Sequence, residues 1–434
     1  MKIGIIGTGY VGMVTAVGLA ELGHDVVGTD VVFEKIEKAS QGIAPIYEPG
    51  LEELLKSSLE RGNLSFSPDL IQTILSSDVL FVCVNTPQRK DGSANMRYVE
   101  SVSRDIAQNL NGYKLIVEKS TVPVQTSSWI KRTINLYKKK DVDFDVASNP
   151  EFLREGSAVS DFMNPDRIII GVETDKAKDM LVEIYRKYED RILITNIDTA
   201  ELIKHASNSF LATKISFINL IANLCEQTDA DVNLVAKGMG LDSRIGPRFL
   251  QAGLGYGGSC FPKDVRALIK IGEDLGVNLD LLKEVDKINT DRVGAFLDKI
   301  KKALWILKDK KIAVLGLAFK PETDDIRNAP SIPLIQALLE EEAILSLYDP
   351  KAIDNMKTIF SDDEPQIQYT SSPLQAAENA NALLVVTEWD EFKDLDLKKI
   401  KDIMANPIIV DGRNIFDSKL VRSIGFEYYS IGRK

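Results

Sequence analysis

Cys260 closes the run Gly253-Leu254-Gly255-Tyr256-Gly257-Gly258-Ser259, which packs four glycines into six residues. Such a run makes a poor core, because glycine forfeits packing and chain entropy unless the backbone must bend or approach a ligand closely. A loop of this kind could wrap a sugar ring. Pro262 suits the first turn of a helix over residues 263–271, so the thiol sits at a helix N-terminus with Lys263 beside it, a setting for a nucleophile. The other two cysteines read differently: Cys83, inside Leu80-Phe81-Val82-Cys83-Val84, and Cys225, in an apolar helix, are expected in the core.

A second constellation stands at the N-terminus. Gly7-Thr8-Gly9-Tyr10-Val11-Gly12 follows an apolar strand and opens a buried-type helix, so glycines allow a tight turn and close approach of a pyrophosphate to free helix N–H groups. Asp30 ends the next strand about 20 residues on, where a carboxylate accepts from an adenosine ribose, and this favours NAD over NADP. Lys35 could approach the adenosine phosphate side and leaves room for NADP. Lys204 and Asn208, four residues apart on an expected helix, project from one face. Together they can donate to a developing alkoxide or oxyanion, or Lys204 can take a hydroxyl proton if burial lowers its pKa.

Composition removes several classes. His24 and His205 are the only histidines, which disfavours a multi-histidine metal site or a Ser-His-Asp triad, and no metal is expected. A formal net charge of -11 argues against nucleic-acid binding, so any anionic ligand must be held by local cations. No apolar stretch reaches the roughly 20 residues of a membrane span. The chain opens on a strand rather than a secretory signal, and three cysteines make no disulfide framework, so a cytoplasmic protein is expected.

The elements that must position these residues follow from periodicity. Short apolar runs at 3–6, 26–28, 79–84, 115–117, 168–172 and 192–194 alternate with amphipathic stretches and read as a parallel α/β sheet. Between about Thr199 and Leu304 apolar residues recur at three- and four-residue steps, a central helical segment. The β pattern restarts at Ile312-Ala313-Val314-Leu315-Gly316 and continues at 344–347, 382–386 and 407–410. The expected architecture is α/β, two Rossmann-like doubly wound domains (1–196 and 306–434) joined by the helical segment 197–305, which also serves dimerisation and catalysis.

In order and type, five blocks resemble the UDP-glucose/GDP-mannose dehydrogenase family along essentially the whole chain. They are Gly7 to Gly12, Val84-Asn85-Thr86-Pro87, Ser120-Thr121-Val122-Pro123, Asn149-Pro150-Glu151-Phe152-Leu153-Arg154-Glu155-Gly156, and the glycine loop through Cys260 to Asp264. Lys204 with Asn208, and Gly316-Leu317-Ala318-Phe319-Lys320-Pro321 with Asp325 and Arg327, add to the likeness.

The resemblance implies NAD-dependent, four-electron oxidation of a nucleotide sugar at C6, without release of the aldehyde. Cys260 would form a thiohemiacetal and then a thioester. Glu151, assisted by Thr121 and Asp264, would activate water against that thioester. NAD would be held by Gly7, Gly9, Tyr10, Val11, Gly12, Asp30, Lys35, Thr86, Thr121, Glu155, Lys263 and Arg327. The UDP-sugar would meet Glu151, Phe152, Leu153, Arg154, Lys204 and Asn208, together with Phe249, Leu250, Gln251, Gly253, Gly255, Tyr256 and Gly257. Arg244, Lys320 and Arg413 match the family's cationic contacts, with Arg244 reaching the neighbouring site of a homodimer. Residues 249–253 and 261–265 are closest to the branch that oxidises UDP-glucose. UDP-N-acetylhexosamine or GDP-mannose chemistry, a single-hydride 6-phosphogluconate or 2-hydroxyacid type of dehydrogenase, and a non-catalytic nucleotide-sugar sensor are the alternatives.

Overall fold

A computed structural model describes residues 1–433. They form two compact units, Met1–Ser207 with Lys270–Val277, and Asn208–Ile269 with the chain from Asn278 onward.

The first unit is built on an eight-stranded sheet. Its strands are β1 (Lys2–Ile6), β2 (Asp25–Thr29), β3 (Leu64–Phe66), β4 (Val79–Val82), β5 (Lys114–Glu118), β6 (Phe144–Ser148), β7 (Ile168–Gly171) and β8 (Ile192–Thr195), in the order β3-β2-β1-β4-β5-β6-β7-β8. Every residue of β4 and β5 is buried, the mark of a sheet covered on both faces. Ile3, Ile5 and Phe81 pack on one face, and Ile6, Leu80 and Val82 on the other. One pairing departs from the parallel expectation: β7 runs antiparallel to β6, with Ser148 opposite Gly171. After Ser148 the chain turns back and returns from the same sheet end, so no crossover is needed. Asn149 Nδ2 fastens that turn to Ile169 O at 2.8 Å.

The second unit carries a parallel six-stranded sheet of β9 (Lys311–Leu315), β10 (Ile344–Tyr348), β11 (Ile367–Tyr369), β12 (Ala382–Val385), β13 (Ile408–Asp411) and β14 (Glu427–Ser430), ordered β11-β10-β9-β12-β13-β14. This is the doubly wound strand order. The short β3 and β11 and the polar β14 lie outside the apolar alternation of the sequence. Each is an edge strand with one neighbour, and so needs less apolar surface.

The helix Ile197–Glu226 runs for 30 residues, about 45 Å. Asn196 starts it, its Oδ1 accepting from Thr199 N at 2.8 Å. In the second unit this helix buries Ala212, Ile218, Ala222 and Cys225, and the helices Phe261–Asp274 and Asp280–Leu304 follow it.

Candidate active site

The glycine turn in the first unit is dictated by space. Gly7 has φ +94° and donates to Thr29 O at 2.8 Å, while a Cβ on Gly12 would lie 1.8 Å from Gly7 O. Only glycine fits either place. The helix Tyr10–Glu21 begins with no side-chain cap and no acid in its first turn, so its free N–H groups remain available to an anion. Asp30 is pre-set: Oδ2 accepts from Thr8 N at 2.8 Å and Thr8 Oγ1 at 3.2 Å, and Oδ1 from Val32 N at 3.0 Å. Thr86 Oγ1 donates to Thr121 O at 2.9 Å, tying the Val84–Pro87 loop to the Ser120–Pro123 loop. Tyr10 donates to Glu48, and burial beside that carboxylate holds the phenol far above its ordinary range.

Beyond β6, Glu151 Oε2 accepts from Leu153 N at 2.6 Å and Oε1 meets Lys204 Nζ at 2.8 Å. Both side chains are about 95% buried, at 5% and 4% exposure, so their attraction is little screened. Lys204 also lies 5.4 Å from the Phe152 ring, whose other close cation is Arg167 at 3.9 Å. One helical turn on, Asn208 is buried as well.

In the second unit, Cys260 stands half-buried before the helix Phe261–Asp274, its Sγ 3.6 Å from Ser259 Oγ. Its carbonyl accepts from Asp264 N at 2.8 Å, the first helical bond. Asn208 Nδ2 donates to Asp264 Oδ2 at 2.6 Å, and Lys263 Nζ lies 3.7 Å from Asp264 Oδ1. Gly255 and Gly258 adopt φ +88° and +80°. Arg413 reaches the loop through Gly255 O at 3.1 Å, and its buried Nη2 has no hydrogen-bond partner, a donor suited to an anionic oxygen. Tyr256 and Phe249 pack against Phe261, their ring centroids 5.8 and 6.2 Å from it; Leu250 and Gly257 are buried and Gln251 is exposed.

Other expected site residues are exposed or half-buried, and Arg327 meets the glycine loop through its carbonyl, which accepts from Gly258 N at 2.8 Å. Arg244 is 88% exposed and paired with Asp242, Arg154 pairs with Asp161, and Arg327 is exposed on Asp325. Lys320 lies half-buried 5.5 Å from the Phe319 ring, and Lys35 and Glu155 are half-buried. Cys83 and Cys225 are buried, and burial pushes the Cys83 thiol up to about 12. Among the described residues no group of three or more metal-ligating side chains occurs, and no helix is long and apolar enough to cross a membrane.

Residues 1–189, 198–291 and 313–418 match the NAD-binding, central and UDP-binding domains of the UDP-glucose/GDP-mannose dehydrogenase family. The chain belongs to that family. It is 45% identical over 440 residues to a UDP-glucose 6-dehydrogenase of Rhizobium meliloti (strain 1021), covering 100% of both chains. To a UDP-glucose 6-dehydrogenase of Bacillus subtilis (strain 168) it is 44% identical over 432 residues, covering 100% of this chain and 93% of that one. Among solved structures, a UDP-glucose dehydrogenase from the archaeon Pyrobaculum islandicum superposes with TM-score 0.93 at 38% identity, covering 100% of this chain and 98% of that one. A UDP-D-ManNAc dehydrogenase from Pyrococcus horikoshii gives 0.88 at 29%, covering 100% and 99%.

The first unit fits the NAD of this dehydrogenase family: an uncapped helix start, a glycine turn with no room for side chains, and a ribose-ready Asp30. Several supporting residues escape sequence reasoning. Glu48 is buried, accepting from Gly156 N and Ala158 N, each at 2.7 Å, and so ties Tyr10 to the loop after Glu151. Asn219 Oδ1 takes Gly253 N at 2.8 Å, Arg292 Nε donates to Gly253 O at 3.1 Å, and Asn289 brackets Tyr256 N and O at 2.8 and 3.0 Å. Asn219 alone left a signal, a polar residue on the apolar face of a long helix.

Proposed function

We propose that this chain oxidises UDP-glucose at C6 to UDP-glucuronate, through a thiohemiacetal and a thioester on Cys260. The observation that carries the reading is Cys260 at a helix start behind a glycine loop, one turn before an Asp264 bonded to Asn208. Identities of 44% and 45% to UDP-glucose 6-dehydrogenases support the choice of sugar nucleotide. Residues 1–196 would hold NAD, 197–305 would carry catalysis and pairing, and 306–434 would hold the UDP group with Lys320 and Arg413.

In this mechanism Lys204 and Asn208 donate to the C6 oxygen, or Lys204 instead takes the hydroxyl proton while Asn208 donates. Bound NAD supplies the electron sink, one molecule for each of the two oxidations. Cys260 Sγ adds to the aldehyde carbon, the thiol proton going to the new hydroxyl, so the aldehyde stays attached. Loss of a hydride from C6 and of the hydroxyl proton then leaves the thioester. Glu151 takes a proton from water, which adds to the thioester carbon; the carboxylate leaves and the Cys260 thiol is restored. Thr121 and Asp264 assist through hydrogen bonds, and Glu155 lies on the nicotinamide side.

A homodimer is part of the proposal. Phe210, Phe217, Leu220 and Leu224 are exposed on the helix Ile197–Glu226, with Phe210 at 65% and Leu224 at 61%, and helical geometry gathers them into an arc of about 80°. A second copy of the same face would cover them, and exposed Arg244 would serve the neighbouring site. The cytoplasm, where NAD and nucleotide sugars are made, is the proposed compartment.

The test is NADH formed per limiting UDP-glucose, with GDP-mannose and UDP-N-acetylglucosamine alongside. Two NADH per UDP-glucose is expected, and Cys260→Ser should stall after the first oxidation or as a slow ester. One NADH per sugar, with activity surviving Cys260→Ala, would instead establish a single-hydride dehydrogenase. Preference for an acetamido sugar is the second reading, favoured by the fold shared with the Pyrococcus horikoshii UDP-D-ManNAc dehydrogenase.

A further inference from the structure

We propose that Lys119 is a positioning residue for the hydrolytic step, its ammonium clamping the Asn149-Pro150 peptide so that Glu151 meets Lys204. The proposal rests on the reading of Glu151 as the carboxylate that activates water.

Lys119 follows β5 at the carboxyl edge of the first sheet, where its N–H donates to Val82 O at 3.0 Å. The side chain is buried, and Nζ bonds Asn149 Oδ1 at 3.0 Å and Asn149 O at 3.2 Å rather than a carboxylate. Asn149 is otherwise fully engaged: Tyr185 Oη donates to Oδ1 at 2.7 Å, Nδ2 donates to Ile169 O at 2.8 Å, and its N–H donates to Glu118 O at 2.9 Å. The next residue, Pro150, has no N–H, so the ladder between β5 and β6 cannot continue into the turn and side chains must hold it. Glu151, immediately after, therefore takes its place beside Lys204 from a peptide whose carbonyl is fixed by Lys119.

A neutral donor would be cheaper to bury than an ammonium. Burial lowers Lys119 to about 8, Cys83 and Glu151 act to raise it, and Lys204 acts to lower it. The charged and titratable groups facing it are thus Cys83, Glu151 and Lys204, with its chain neighbour Glu118 on β5. The cation is kept where the Glu151 carboxylate feels it.

Lys119→Met and Lys119→Arg in the full-length protein test this. In crystals of Lys119→Met the Glu151–Lys204 contact should open beyond hydrogen-bond distance. Because misplacement of reacting groups by about 1 Å can cost roughly 100-fold, kcat should fall by about 10- to 100-fold with KM for the sugar nucleotide within about twofold. Lys119→Arg should recover most of the loss. A limb in the kcat profile near pH 8, from Lys119 titrating at about 8, should be present in the wild type and absent from Lys119→Met. An unmoved Glu151–Lys204 pair, an unchanged kcat, or a pH limb that persists in Lys119→Met overturns the proposal. One NADH per sugar from the wild type would defeat the functional reading instead, and the variant crystal would still decide whether Lys119 places Glu151.

Discussion

The two sheets open in the same way and then diverge. β1 and β9 are each followed by a glycine, Gly7 with φ +94° and Gly316 with φ +98°, and each glycine donates to the last residue of the neighbouring strand, Thr29 O and Tyr348 O, at 2.8 Å. Each second strand is followed by an aspartate, Asp30 or Asp349. After Gly7 a helix starts at Tyr10, whereas after Gly316 the next helix waits until Ser331. Asp349 is buried with both oxygens spent: Oδ2 on Leu317 N, Ala318 N and Trp389 Nε1, Oδ1 on Lys351 N and Ala352 N. Asp30 is half-buried and braces its turn while keeping one side open. One strand order thus carries a half-buried acid in one unit and, in the other, a buried brace whose two oxygens are both engaged by backbone and indole donors.

Alanine at Gly12, which packs on the Gly7 carbonyl, and at Gly316 should separate these roles most sharply. In Gly12→Ala the new Cβ meets the Gly7 carbonyl, and NAD affinity should fall on the order of 1,000-fold, about 4 kcal/mol, by calorimetry. Gly316→Ala would press a Cβ within 2.4 Å of Thr387 Cβ, so melting temperature should drop while KM for NAD stays within about twofold. NAD affinity lost equally in both variants would break the comparison.

The aspartates come next. Asp30→Asn should raise KM for NAD roughly 10-fold, the loss of a charge-assisted bond. Asp349→Asn sets an amide against backbone donors and should cost about 1–3 kcal/mol in denaturant unfolding with KM unchanged.

A third contrast is between buried acids. Glu118 ends β5 with Oε1 taken by Ser120 N at 2.8 Å and Oε2 without a partner, and burial raises it to about 8. Because its folded pKa exceeds its unfolded one, the folded state binds the extra proton between about pH 4.5 and 8, and stability falls as pH rises through that window. Glu118→Gln should remove this fall, so its stability relative to wild type should grow by a few kcal/mol from pH 5 to pH 8. A constant difference across the window would refute it. The smallest effect is expected for Cys83→Ser, with turnover within about twofold and only stability altered.

Much of this was legible in the chain. Strand runs such as 79–84 and the steps of the helix Ile197–Glu226 are strong periodic signals, and the glycine blocks mark where a backbone must turn or approach a ligand. What escaped depends on partners distant in sequence. Glu48 becomes a hub only when Gly156 and Ala158 are folded against it, and Arg292 looks like any helix cation until its Nε reaches Gly253 O. The reversal of β7 was hidden because Ile168-Ile169-Ile170 is equally apolar in either direction. Lys119 comes immediately before the Ser120-Thr121-Val122-Pro123 block, and its bond to Asn149 spans 30 residues.

The glycine loop before Cys260 is keyed into its surroundings at every glycine. Added Cβ atoms would lie 2.8 Å from Gly412 O at Gly253, 2.4 Å from Asn289 Oδ1 at Gly255, 2.4 Å from Asn328 O at Gly257, and 2.8 Å from the Phe319 ring at Gly258. Variation at these four positions is therefore closed to selection. A lineage or a laboratory campaign that moves this scaffold toward a different sugar must do so through side chains around the loop, leaving the loop itself as an inherited constant.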